Sequence, residues 1–183
     1  MKKLFAAVMV FVMILSVLPV GIMSAYATDT YDPAFGLYID GYFEYSVSNG
    51  KAAIGYYNGP DYADVIIPSS LGGYPVTSIG YYGGAMLDCW PFMSRSPVSV
   101  TLPSTITYLG MWALKCDDTN MPANVYFYGN APSFYNGDSP FGYNTKIYYQ
   151  AGRTGYSTPY WMGCPCEPFG NIVITFDAQG GSV

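Results

Sequence analysis

The chain has 183 residues, enough for one ordinary domain or a small domain with a fragment of another. Only 10% are charged, 18% are aromatic, and the net charge is −5, becoming −7 if Lys2 and Lys3 leave with a leader. Beyond those two lysines no run of basic residues offers a footprint for nucleic acid or an anionic membrane, and the absence of histidine excludes His triads, His-ligated metals and His pH switches.

Met1-Lys2-Lys3 is a basic start, and Leu4 to Val20 is almost wholly apolar. Ala25-Tyr26-Ala27 then has the small-x-small pattern of a cleavage site, so residues 1–27 read as a secretory signal peptide. An uncleaved membrane anchor is the alternative, and the helix-breaking Pro19-Val20-Gly21 argues against it. The expected location is secreted or cell surface, with no stable membrane insertion after cleavage. Residues 28–41, with Asp32-Pro33, read as a flexible lead-in that turns to β pattern at Leu37.

A main domain is expected over residues 42–161. Phe43, Tyr45 and Val47 alternate with Glu44, Ser46 and Ser48, and Asn49-Gly50 follows, the strongest short hairpin signal. Tyr42–Tyr57 is therefore expected to be a β-hairpin. Short strands follow at Val65–Ile67 and Val76–Ile79, stopped by Pro68 and Gly80 respectively. Tyr81–Pro97 reads as a long loop or short turn. Val98–Leu102 and Ile106–Leu109 are the next strands, separated by Pro103-Ser104 and closed by Gly110. Asn124–Tyr128 and Thr145–Tyr149 complete the series, with a Gly/Asn/Pro loop from Ser133 to Gly142 between them. An aromatic end piece runs to Trp161. Residues 162–171, with Cys164-Pro165-Cys166, read as a linker, and residues 172–183 as the first strand of a further unit that the chain would go on to complete.

One phrase is written twice in this order. Val65-Ile66-Ile67-Pro68-Ser69 leads to Thr77-Ser78-Ile79-Gly80, and Val100-Thr101-Leu102-Pro103-Ser104 leads to Thr107-Tyr108-Leu109-Gly110. A phrase recurring every few tens of residues is the mark of a solenoid. One such coil cannot bury its apolar face alone, so Val65/Ile67, Val100/Leu102 and Val125/Phe127 are expected to stack into a continuous core. The expected fold is mainly β, a short repeat solenoid with an N-terminal β-hairpin cap. Ile67, Pro68, Ile79, Gly80, Leu102, Pro103, Leu109 and Gly110 are its structural repeat residues.

Asp64–Ser69 with Gly73–Gly80 resembles the BspA-like leucine-rich repeats of bacterial surface proteins. Ala113-Leu114-Lys115-Cys116 looks like a shortened form of that family's Ala-Phe-x-x-Cys ending. Val125–Pro132 is similar to the strand that often closes such arrays. Tyr148-Tyr149, Gly155-Tyr156 and Pro159-Tyr160-Trp161 resemble the family's segment C-terminal to that strand. The resemblance covers roughly Tyr42 to Trp161. Ile174–Val183 looks like the opening of a Listeria–Bacteroides (internalin-type B) repeat. Together they imply a surface or secreted binding protein, some relatives of which are implicated in adhesion.

Little in the chain suggests chemistry. Asp61/Asp64 and Asp117-Asp118 are the tight acidic pairs, and both read as solvated turn residues. Cys89 and Cys116 occupy similar repeat positions, which fits either a disulfide or two buried thiols filling the core. Cys164-Pro165-Cys166 lacks the spacing of a zinc knuckle. No cofactor, metal or catalytic residue is expected. The aromatics exceed what a small core needs, so Tyr81, Tyr82, Trp90, Trp112, Tyr126, Tyr128, Tyr160 and Trp161 are the candidate ligand-binding residues; their rival role is to cover the repeats and caps.

The expected function is non-catalytic binding at a cell surface, recognising a protein ligand as an adhesion module. Two rivals stand beside it: a carbohydrate-binding module using exposed Tyr and Trp, and a spacer domain of a larger extracellular enzyme. An extracellular protein or glycan is the expected partner, and a monomer the expected state.

Overall fold

The computed structural model describes residues 30–32, 36–80, 90–93, 95–116, 122–135 and 139–170. The expected signal peptide, Tyr81 and Tyr82, Cys89, Asp117-Asp118 and the strand over residues 172–183 lie outside them. The described residues form strands, turns and irregular chain, with no helix among them.

The N-terminal part is an antiparallel meander of β1 (Thr30–Asp32), β2 (Leu37–Asp40), β3 (Phe43–Ser48) and β4 (Lys51–Tyr57). The expected hairpin is its inner half. Asn49 and Gly50 both take left-handed conformations, φ 51° and 69°, as a two-residue turn between right-twisted strands requires. The lead-in reading is corrected at Thr30–Asp32, which pairs with Leu37–Ile39 and is thereby held in the sheet.

Beyond the meander the chain alternates between two sheets. β5 (Asp64–Ile66) belongs to one, and β6 (Ser70–Leu71) with β7 (Tyr74–Ile79) to the other side. β8 (Ser99–Leu102) returns to the first, β9 (Tyr108–Leu109) to the second. β10 (Asn124–Phe127) and β11 (Ser133–Phe134) repeat the step, and β12 (Lys146–Gln150) comes next. Pro68 and Pro103 stand just past β5 and β8, where a residue without an N–H costs no ladder bond.

Parallel register lines up one residue from each successive strand. In the first sheet Val65, Val100, Val125 and Ile147 stand side by side, with Cys166 next in the row. In the second, Ile54, Ile79, Leu109 and Phe134 do the same. The first three members of that second row, and every member of the first, are buried in a single cluster with Leu102, Phe127 and Leu114. Each fully buried Val, Leu or Ile contributes about 1.5–3 kcal/mol. Expected rows and observed rows coincide for Val65, Val100 and Val125. A third, sparser line of contacts runs beside the two sheets: Tyr57 N–H donates to Pro91 O, Phe92 bridges Cys116, and Leu114 bridges Phe141.

The expected linker over residues 162–171 is corrected to structure. β14 (Cys164–Phe169) lies parallel to β12, and β13 (Tyr160–Trp161) pairs antiparallel with its other edge. Cys164 and Cys166 point into the core while Pro165 and Glu167 face out, a two-residue alternation. Cys166 N–H donates to Pro159 O on that outer edge, and Pro168 brings no donor to the ladder.

Gly80 is one place where successive passes of the chain touch closely. Its φ is +81°, and a Cβ there would stand 3.3 Å from Gly110 Cα and 3.4 Å from Ala113 Cβ. Gly73 has nearly the same φ, +82°, with nothing within 4 Å of the added carbon. Gly80→Ala is expected to destabilise by about 2–3 kcal/mol and Gly73→Ala by about 1 kcal/mol, backbone strain acting in both and crowding only in the first. Urea unfolding of the two variants checks this; equal losses would show that Gly80 is kept for its φ alone.

Candidate functional site

The outward face of the first sheet carries the main aromatic surface. Because Val65, Val100, Val125, Ile147 and Cys166 face in, their neighbours Ile66, Thr101, Tyr126, Tyr148 and Glu167 form an outward row in the same register. Tyr126 and Tyr148 stack with centroids 5.0 Å apart and planes 14° apart, the spacing of adjacent strands. Phe169 stands edge-on to Tyr126 at 5.9 Å and to Tyr128 at 5.2 Å. Three rings thus sit on three strands, with Tyr128 just past the end of β10. Tyr128 is exposed, and the others are half-buried against one another.

Next to this row lies a shallow hollow of about 420 Å³ lined by Lys146, Tyr148, Thr158, Pro159, Tyr160 and Glu167, among others. Tyr160 is 63% exposed, and its register partner Pro165 also borders the hollow. One ammonium and one carboxylate beside two phenol rings can hydrogen-bond polyols or polar side chains.

A second aromatic group lies on the third line of contacts. Trp90 and Trp112 meet at 4.7 Å, edge to face, and the Lys115 ammonium stands over both rings and over Tyr143, 5.7 Å from each centroid.

The sequence-based candidates thus divide. Tyr126 and Tyr128 share the sheet face, Tyr160 borders the hollow, and Trp90 and Trp112 form the other group. Trp161 is corrected: it is a core residue. It packs against Phe127, Phe134, Phe141 and Tyr156 at 4.8–5.9 Å, because β13 turns its second residue inward. Tyr57, one of the many aromatics of the chain, is likewise buried, against Phe43 and Phe92. Tyr148, Phe169, Lys115 and Tyr143 were not among the candidates. Tyr148 had a signal: aligning Ile147-Tyr148-Tyr149 with Val125-Tyr126-Phe127 puts it beside Tyr126.

The carboxylates have structural partners. Asp61 accepts from Ser96 N–H at 3.1 Å and lies 3.7 Å from the Arg95 guanidinium, while Asp64 accepts from Ser99 Oγ at 2.6 Å. Cys116 is buried, and its pairing with Cys89 lies outside the described residues. Cys164 and Cys166 are buried thiols. Burial raises the pKa of Cys164, and burial, then the neighbouring Cys164 and Glu167 charges, pushes Cys166 up to about 11. Such thiols are poor nucleophiles and poor metal ligands at neutral pH.

No protein-family model matches the sequence, and no curated protein matches it. Among solved structures, the chain is similar to a leucine-rich repeat protein from Bacteroides capillosus ATCC 29799, at 18% identity and a TM-score of 0.38, over 63% of this chain and 99% of that one.

The raised Cys166 pKa has a sign that can be measured. The folded state holds a proton that the unfolded thiol gives up above about pH 9, so this group's stabilising contribution is complete below pH 9 and is lost as pH rises toward about 11. Alkylation by iodoacetamide, mapped by mass spectrometry, is expected to label Cys166 at pH 8 less than about one-tenth as fast in the native protein as in urea. Equal rates at pH 8 would refute the raised pKa.

Proposed function

We infer that the chain is a short solenoid of leucine-rich-repeat type, BspA-like, exported and held at or released from a bacterial surface. There it binds a protein ligand without catalysis. The parallel rows, the alternation between two sheets and the doubled Pro-Ser…Gly phrase support the repeat reading. In this reading the N-terminal meander and β13 act as end caps, and the B-type repeat would begin at residue 172. The low-charge composition and the signal-like first 27 residues support export.

The observation that carries the binding reading is the Tyr126–Tyr148 stack with Phe169 and Tyr128 around it. Rings locked against each other lose little side-chain entropy on binding, and Tyr is among the residues that anchor protein interfaces. The stack also favours a protein over a sugar at this place. Its two inner ring faces cover each other, leaving edges and hydroxyls outward, whereas a pyranose needs a free ring face.

The hollow beside Tyr160 gives a second reading some weight. Its volume falls in the range of small-molecule sites, and Lys146, Thr158 and Glu167 supply the polar groups that a glycan residue would use.

Both readings are separated by one pair of assays on the full chain: binding to immobilised extracellular-matrix proteins and to a glycan array. Tyr126→Ala or Tyr148→Ala is expected to weaken protein binding at least tenfold, about 1.4 kcal/mol, with Tyr160→Ala near wild type. Glycan binding abolished by Tyr160→Ala would instead establish the second reading. Hydrolase activity in this chain alone would overturn both.

A further inference from the structure

The Trp90, Trp112 and Tyr143 rings come from three successive passes of the chain along the third line of contacts. Trp90 precedes Phe92, Lys115 lies between the bridging residues Leu114 and Cys116, and Tyr143 comes two residues after Phe141. The Phe92–Cys116 and Leu114–Phe141 bridges therefore set the three rings around one point, and that point holds the Lys115 ammonium. No ion pair to Lys115 is present among the described residues, where Arg95–Asp61 is the ion pair observed. The negative ring faces are what this cation meets.

We propose that Trp90, Trp112 and Tyr143 form a binding cage for a trimethylammonium group, which Lys115 fills in its absence. The distances carry the size argument. At 5.7 Å the bare ammonium is near the outer limit of useful attraction. A methyl group on a nitrogen at that point, directed at a ring, would lie about 4.2 Å from its centroid, within ordinary apolar contact distance. Three methyl groups answer three rings. Solvation points the same way. A lysine ammonium is strongly hydrated and donates hydrogen bonds that an aromatic wall does not return, whereas a quaternary ammonium has no N–H to leave unpaired. Lys115 is thus a removable occupant on a flexible stem.

A second observation marks the site. Trp112 has φ +55°, a left-handed conformation that costs a bulky residue of order 1–3 kcal/mol and persists only where surrounding structure enforces it. In that conformation the Trp112 ring meets Trp90 at 4.7 Å. Tyr143, 81% exposed, leaves the cage open to solvent on one side. The site is separate from the tyrosine face and stands without any reading of it.

Choline titrated into the chain, followed by tryptophan fluorescence, tests the cage. Its uncharged carbon analogue, 3,3-dimethylbutan-1-ol, serves as the control for shape. Saturable choline binding is expected, with no binding of the control at the same concentrations. Lys115→Ala is expected to tighten choline binding roughly tenfold by removing the resident cation, and Tyr143→Ala to weaken it about fivefold. Tyr143 is exposed enough that its loss leaves the fold intact, which circular dichroism verifies. The proposal is overturned if choline does not bind either wild type or Lys115→Ala, if the control binds equally well, or if Lys115→Ala leaves the affinity unchanged.

Discussion

Parallel register is the constraint on which the rest of the structure depends. Every strand of the first sheet has six residues or fewer, and β5 has three. A strand that short buries one or two side chains and cannot offset the entropy of ordering itself. It becomes stable only when Val65 lies against Val100, Val100 against Val125 and Val125 against Ile147. A slip of one residue would turn each of these out and bring Ile66, Thr101, Tyr126 and Tyr148 in. The core and the aromatic surface are therefore two sides of one decision. Whatever fixes the register of the inner row also stacks Tyr126 on Tyr148.

The same decision explains which elements were legible in the chain. Strands with β-branched runs ended by proline were legible, because Val65–Ile67 and Val100–Leu102 carry both the propensity and the stop. So was the Asn49-Gly50 turn, whose chemistry is local. β14 was hidden by its prolines: Cys164-Pro165-Cys166-Glu167-Pro168 reads as linker because proline is depleted in strands, and only the pairing with β12 and β13 makes it one. β11 is two residues long and exists only through its pairing with β9. Trp161 illustrates the limit for candidate sites. An aromatic in a two-residue strand has no phase of its own, so whether it faces core or solvent depends on the partner strand. Tyr126 was legible because it alternates with the aliphatic Val125 and aromatic Phe127 of a longer strand.

The two aromatic groups differ in how they are built. The tyrosine face repeats one strand position across neighbouring strands and is a by-product of register. The tryptophan group takes Trp90, Trp112, Lys115 and Tyr143 from stretches that share no strand position, and one of them has a strained backbone. The first could arise in any array with tyrosine at that step. The second needs a particular conformation at Trp112, which a repeat pattern alone does not supply.

The reversal of β13 has a further consequence. A stack of parallel strands with two bare ends is a seed for fibres, since each copy can add to the last head to tail. Here one end is closed by a strand running the wrong way and by Pro168, while β5 pairs with β8 alone among the described residues. Head-to-tail growth through this sheet needs both ends receptive, and among the described residues β13 leaves one of them running the wrong way. A second copy joined through β5 would meet its own kind, like end to like end, which is the geometry of a twofold pair.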